Sequence, residues 1–119
     1  RGRVDDAVAA AMAPEGTTYP PGSIVQLIPA EVMIKHHKGG NTITNDWEFF
    51  ELDVSEEGSK IKVLGTTQVV NKFGGNCFEC HQKAKPQWDF ICEEGHGCDS
   101  LPIPDFLIRR AQRKDPRCE

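Results

Sequence analysis

At 119 residues, 38% hydrophobic and 27% charged, the chain has the length and make-up of one domain spanning 1–119. A chain of that size buries roughly two thirds of its unfolded surface. A formal net charge of −4 with dispersed basic residues argues against a nucleic-acid partner. No run approaches the roughly 18 apolar residues of a membrane span. Five cysteines in so short a chain point to an oxidising compartment, periplasmic or secreted, and Arg1 at the start with no visible signal peptide fits a processed chain.

Residues Val4 to Ala13 read as a helix. Val4, Val8, Ala11 and Met12 share a face, Asp5 and Asp6 favour the first turn, and Pro14 and Gly16 stop it. After the stiff turn Tyr19-Pro20-Pro21-Gly22, the apolar run Ile24 to Ile28 predicts a strand covered on both faces. A second strand follows Pro29, with Val32, Ile34 and His36 alternating against Glu31, Met33, Lys35 and His37, and it ends at the turn Lys38-Gly39-Gly40-Asn41. His36 and His37 read as surface residues.

In Asp46 to Val54, Trp47 and Phe49 share one face while Phe50, Leu52 and Val54 share the other. The apolar side changes midway. Either a bulge sits near Phe49 and Phe50 or both faces are covered there. Glu56-Glu57-Gly58-Ser59 is a turn, and Lys60 to Val70, interrupted at Gly65, supplies one or two more strands. Cys77 to about Lys85 is expected as a short helix ending before Pro86. The last helix lies within Leu101 to Pro116, starting at Pro104 and Asp105, with Leu107, Ile108 and Ala111 as its apolar stripe and Arg109, Arg110, Arg113 and Lys114 toward its end. The fold class is therefore α+β: a mostly antiparallel sheet with an N-terminal helix, a short helix at the cysteine pair and a C-terminal helix.

The stretch Cys77-Phe78-Glu79-Cys80-His81 carries the chemistry. Two thiols followed at once by an imidazole are the attachment pattern of a c-type haem. Each thiol adds across one porphyrin vinyl group, a turn of helix sets the sulfurs at the vinyl spacing, and His81 then binds iron as proximal ligand. The expected cofactor is one covalently attached haem c, held by Cys77 and Cys80. A rival is a zinc-stabilised structural module, in which Cys77 and Cys80 join two of Cys92, His96 and Cys98. A thioredoxin-like pair lacks its βαβ surroundings.

Cys92 and Cys98 flank a short loop, and their disulfide is favoured over pairings with Cys118. A sixth iron ligand would come from Met12, Met33, His36, His37, His96 or a lysine; none has a diagnostic setting, so an open distal side is the expectation. His96, between two glycines and near a cysteine, reads as mobile enough to reach iron but equally as an exposed-loop residue, and the latter is favoured.

These residues resemble the cytochrome P-460 and cytochrome c′-beta family. The likeness runs from Tyr19-Pro20-Pro21-Gly22-Ser23-Ile24 through Asn45-Asp46-Trp47-Glu48-Phe49-Phe50 to Asn76-Cys77-Phe78-Glu79-Cys80-His81, with Trp88-Asp89-Phe90-Ile91-Cys92 and His96-Gly97-Cys98-Asp99 behind it. The resemblance implies an antiparallel sheet with flanking helices and a haem held at its edge. It also implies two branches: hydroxylamine oxidation on a haem crosslinked to a lysine, or binding of nitric oxide or carbon monoxide without that crosslink. Leu27 falls where the crosslinking lysine is expected, and Lys35 lies a strand too late. Glu31, Glu48 and Glu51, the nearest candidates for a general base, read as exposed residues alternating with apolar ones. Leu27, Trp47, Phe49 and Phe50 are expected as haem walls. The expected function is haem-based electron transfer or diatomic gas binding, with a small redox protein or the gas itself as partner. An exposed haem edge and Cys118 leave room for a homo-oligomer.

Overall fold

The computed structural model describes residues 2–71, 74–93, 95–101 and 103–117. Helix α1 spans Gly2–Met12 and is followed by strands β1 (Ile24–Gln26), β2 (Glu31–Lys35), β3 (Trp47–Ser55) and β4 (Gly58–Gly65). Helix α2 (Cys77–His81), a 3-10 turn at Pro86–Trp88 and helix α3 (Asp105–Arg113) complete it. The strands form one antiparallel meander in the order β1-β2-β3-β4. This is the expected α+β arrangement with a helix at each end.

Register decides which side chains meet. Glu31, Met33 and Lys35 of β2 stand opposite Glu51, Phe49 and Trp47 of β3, so these six share one face. That face holds the core: Met33, Trp47 and Phe49 pack with Ala10, Tyr19, Val69 and Ile91, and Val25, Cys77, Phe78 and Phe90 lean against them. Val32 and Phe50 are also buried, but alternation turns them to the opposite face. Both faces of β3 are therefore covered between Phe49 and Glu51. The irregularity in pairing falls two residues later than expected, at Glu51/Leu52, where Lys62 of β4 is left without an opposite residue.

Several local expectations are revised. β1 is a three-residue edge strand whose Ile24 is exposed, not a strand covered on both sides. Its chain breaks off because Leu27 to Ala30 bends toward α3, where Gln112 Nε2 donates to the Leu27 carbonyl at 2.5 Å. Helix α1 presents Ala10 to the core and leaves Val4, Val8 and Met12 exposed. Ala10 is the α1 side chain that joins the core cluster with Tyr19, whereas periodicity assigned the larger side chains to that side. Helix α3 buries Ile108 and, with Ile28, Pro29, Ala30 and Val54, borders a groove of about 260 Å³.

Candidate functional site

Helix α2 is a single turn extended by one residue, and its start is set chemically. Asn76 is the N-cap, its side-chain oxygen accepting from the Glu79 N–H at 2.9 Å. Such a cap satisfies one of the donors a helix start leaves open, worth about 1 kcal/mol. Asn76 Nδ2 donates in turn to the Thr67 carbonyl, and Cys77 N–H to the Val69 carbonyl, which fastens the helix to the chain leaving β4. The helix stops at His81, sooner than Lys85, and residues 82–84 continue as turns.

Cys77 and Cys80 are half-buried and carry free thiols, whereas Cys92 and Cys98 are joined in a disulfide with Cα atoms 5.6 Å apart. Cys118 lies outside the described residues. The bridge takes both outer sulfurs away from the zinc arrangement, and among the described residues no three His, Cys, Asp or Glu side chains converge as a metal site. The loop it closes packs tightly: Gly97, at φ 106°, leaves only 2.9 Å between the position of an added Cβ and the Lys83 carbonyl oxygen, so a larger residue there would push the loop off the exit from α2.

His81 is oriented by its neighbours. Its Nδ1 lies 2.6 Å from the Phe90 carbonyl oxygen. A carbonyl only accepts, so Nδ1 carries the proton and Nε2 keeps a lone pair. Burial depresses the His81 pKa, with the Phe90 bond pulling the other way, and a neutral ring is the form that binds metal. Phe49 sits beside it, ring centroids 5.5 Å apart. Two free thiols and a neutral, tethered imidazole on one short helix suit a haem held by Cys77, Cys80 and His81.

The expected wall residues separate. Phe49, 1% exposed, lies at His81. Trp47 is on the same face but fully enclosed, its Nε1 donating to the Asp89 carbonyl at 2.8 Å and its ring 5.7 Å from Tyr19. Phe50 belongs to the opposite face, and Leu27 is half-exposed in the bend near α3. Alternation along β3 and the position of α2 decide this split. Met33 stands opposite Phe49 in register and is buried with it. His96 is neither an exposed-loop residue nor directed to iron by its contacts: it is buried, stacked on Trp88 at 3.9 Å, with Nδ1 2.7 Å from the Ile91 carbonyl oxygen. His36 and His37 are exposed as expected, His36 Nε2 lying 2.6 Å from Glu48 Oε1.

Two acidic residues are placed otherwise than alternation suggested. Glu51 is buried, 4% exposed, on the Phe49 face, and its Oε1 has no hydrogen-bond partner among the described residues. Desolvation pushes the Cys77 thiol up to about 11, and the charges of Glu31 and Glu51 add to the effect. Both carboxylates therefore act on Cys77. Glu31, opposite Glu51 in register, is half-buried.

Asp89, which the sequence shows only as one letter of a motif, is the polar centre of this side of the molecule. It is 3% exposed and accepts from Tyr19 N–H at 2.7 Å, Asn45 Nδ2 at 2.6 Å, Trp47 Nε1 at 3.3 Å and Lys35 Nζ at 2.8 and 3.0 Å. Lys35, equally buried, also donates to the Asn45 carbonyl and lies 4.9 Å over the Trp47 ring. Removing one partner of so buried a pair costs roughly 3–5 kcal/mol, because the other charge is stranded. Lys35, the sequence's nearest alternative to Leu27 as a crosslinking lysine, is thus committed to Asp89. Two left-handed turns flank the pair, Asn45-Asp46 (φ 50° and 71°) and Asp89-Phe90 (φ 49° and 65°). Left-handed angles at a residue such as Phe90 cost on the order of 1–3 kcal/mol and persist only where surrounding bonds demand them. An alternating pattern shows Lys35 as an outward charge, and nothing local in the sequence pairs it with a residue 54 positions away.

No helix among the described residues is long and apolar enough to cross a membrane. No protein-family model, no curated protein and no solved structure matches the chain.

Proposed function

We propose that the chain is a periplasmic or secreted mono-haem c-type cytochrome of the cytochrome P-460 and c′-beta kind, with Cys77 and Cys80 carrying the porphyrin and His81 binding iron. The observation that carries this reading is the single helical turn bearing two free thiols and a neutral His81 tied through Nδ1. The cofactor would supply a redox-active iron; the residues' part is to hold it covalently, present one imidazole and line it with Phe49. Its function is electron transfer to a small redox protein or binding of nitric oxide or carbon monoxide. Phe49 and Met33 beside each other make an apolar wall, which favours neutral diatomic ligands.

The test is expression with a c-type maturation system, followed by an absorption spectrum and denaturing separation. Haem that stays on the denatured chain, with a reduced spectrum that shifts under carbon monoxide, is the expected result; a colourless protein would sink the reading. One observation favours a second function, oxidation of a small nitrogen compound such as hydroxylamine. Glu51 is a buried carboxylate on the Phe49 face with an oxygen that no described residue occupies, available to accept a proton. Turnover of hydroxylamine that is lost in Glu51→Gln would select it over plain binding.

A further inference from the structure

We propose that Asp89 is a positioning residue for His81: by gathering Lys35, Asn45, Trp47 and Tyr19 it holds the left-handed Asp89-Phe90 turn that aims the Phe90 carbonyl at His81 Nδ1. The proposal rests on the haem reading of the same site. A run of two left-handed residues turns successive carbonyls in directions that an ordinary extended segment would not. Here the Asp89 carbonyl takes the Trp47 Nε1–H, the Phe90 carbonyl takes His81, and the Ile91 carbonyl takes His96. Three rings are therefore oriented by three consecutive carbonyls, and Asp89 supplies the side-chain charge that anchors their segment. The anchor is stiff because its counterpart turn, Asn45-Asp46, is tied to it twice, through Asn45 Nδ2 to Asp89 and through the Asn45 carbonyl to Lys35.

A metal-binding imidazole that gives its second N–H to a fixed carbonyl is more basic and cannot rotate, and loss of such a partner changes metal affinity by roughly 10- to 100-fold. An anchored Phe90 carbonyl stabilises the higher charge on a bound iron. Loosening it raises the reduction potential.

The experiment uses haem-loaded protein and two readouts, the reduction potential and the iron–histidine stretch of the reduced form. Asp89→Asn, and Asp89→Asn with Lys35→Met so that no charge is stranded, are expected to shift the reduction equilibrium about tenfold toward the reduced form, equivalent to 59 mV for one electron, and to lower the stretching frequency. Asn45→Ala removes one donor, leaves the ion pair, and is expected to move both readouts the same way by a smaller factor; it keeps the test decisive should the Asp89 variants not fold. Ile108→Ala, in the groove under α3, lowers stability without moving either readout. Wild-type values in every folded Asp89 or Asn45 variant, with only the melting temperature reduced, overturn the assignment and leave Asp89 a stabilising residue. A wild-type protein that carries no covalent haem overturns the haem reading itself, and the proposal with it.

Discussion

Phe49 and Phe50 are neighbours in sequence and both are buried, yet β3 sends them to opposite faces, so truncating them separates stability from site. A buried phenylalanine contributes its transfer free energy plus the dispersion attraction of the atoms packed around its ring, and replacement by alanine costs about 3–5 kcal/mol. A domain of this length holds roughly 6–18 kcal/mol in all, at about 0.05–0.15 kcal/mol per residue. Either variant should therefore remain folded in buffer but lose a large part of its margin. With a urea slope of about 1.5 kcal/mol per molar, the midpoint falls by about 2–3 M, measured by tryptophan fluorescence. The two should differ at the haem. Phe49 lies 5.5 Å from the His81 ring, so Phe49→Ala opens the wall and changes the carbon monoxide difference spectrum and the ligand-binding rate, while Phe50→Ala leaves both near wild type. Phe49→Leu, costing only about 1–2 kcal/mol, provides the same spectroscopic comparison if the alanine variant is too weak. Equal spectral change in Phe50→Ala would refute the assignment of faces, and a destabilisation under about 1 kcal/mol in Phe49→Ala would refute the burial of Phe49.

Other outcomes follow from the same geometry. In haem-free protein Cys77, with its thiol pushed up to about 11, stays protonated and slow to alkylate at neutral pH. Glu51→Gln removes one of the carboxylates that oppose its ionisation, so the midpoint of a rate-versus-pH curve moves down; an unmoved or higher midpoint would separate Glu51 from Cys77. The linkage has the matching sign: a thiol raised in the folded state costs stability as pH rises above its unfolded value of 9.0, so haem-free protein loses stability in that alkaline range. Glu51→Met, which removes a buried unpartnered oxygen, stabilises the haem-free chain by about 1–3 kcal/mol in urea titration. Replacing Cys92 and Cys98 by serine opens a short loop and costs about 2 kcal/mol, seen as a lower melting temperature; an unchanged melting temperature would mean that the loop holds without the bridge. In haem-loaded protein His81→Ala is expected to change the absorption spectrum through loss of the proposed iron ligand, whereas Cys118→Ser is expected to leave that spectrum intact.

Much of the frame was legible in the chain because its signals are local. The period-two patterns of β2 and β3, the glycine turns, the proline and aspartate at the start of α3 and the Cys-x-x-Cys-His run each act within a few residues. Alternation also separated Phe49 from Phe50. What could not be read was which neighbour each face would find. Lys35, Glu51 and Asp89 look like ordinary solvated charges by sequence, and all three are buried. Val4, Val8 and Met12 look like a packing stripe and are exposed, while the smaller Ala10 joins the core.

The pentad from Cys77 to His81 was determined by the sequence: thiol spacing on a helix and an imidazole beside it are properties of a few consecutive residues. The orientation of that imidazole was decided only by the tertiary structure. It depends on the Phe90 carbonyl, hence on a left-handed turn anchored by Asp89 to Lys35 across 54 positions of chain. Only closing the fold brings those charges out of water together, and burial is what makes their pairing strong enough to hold a strained backbone.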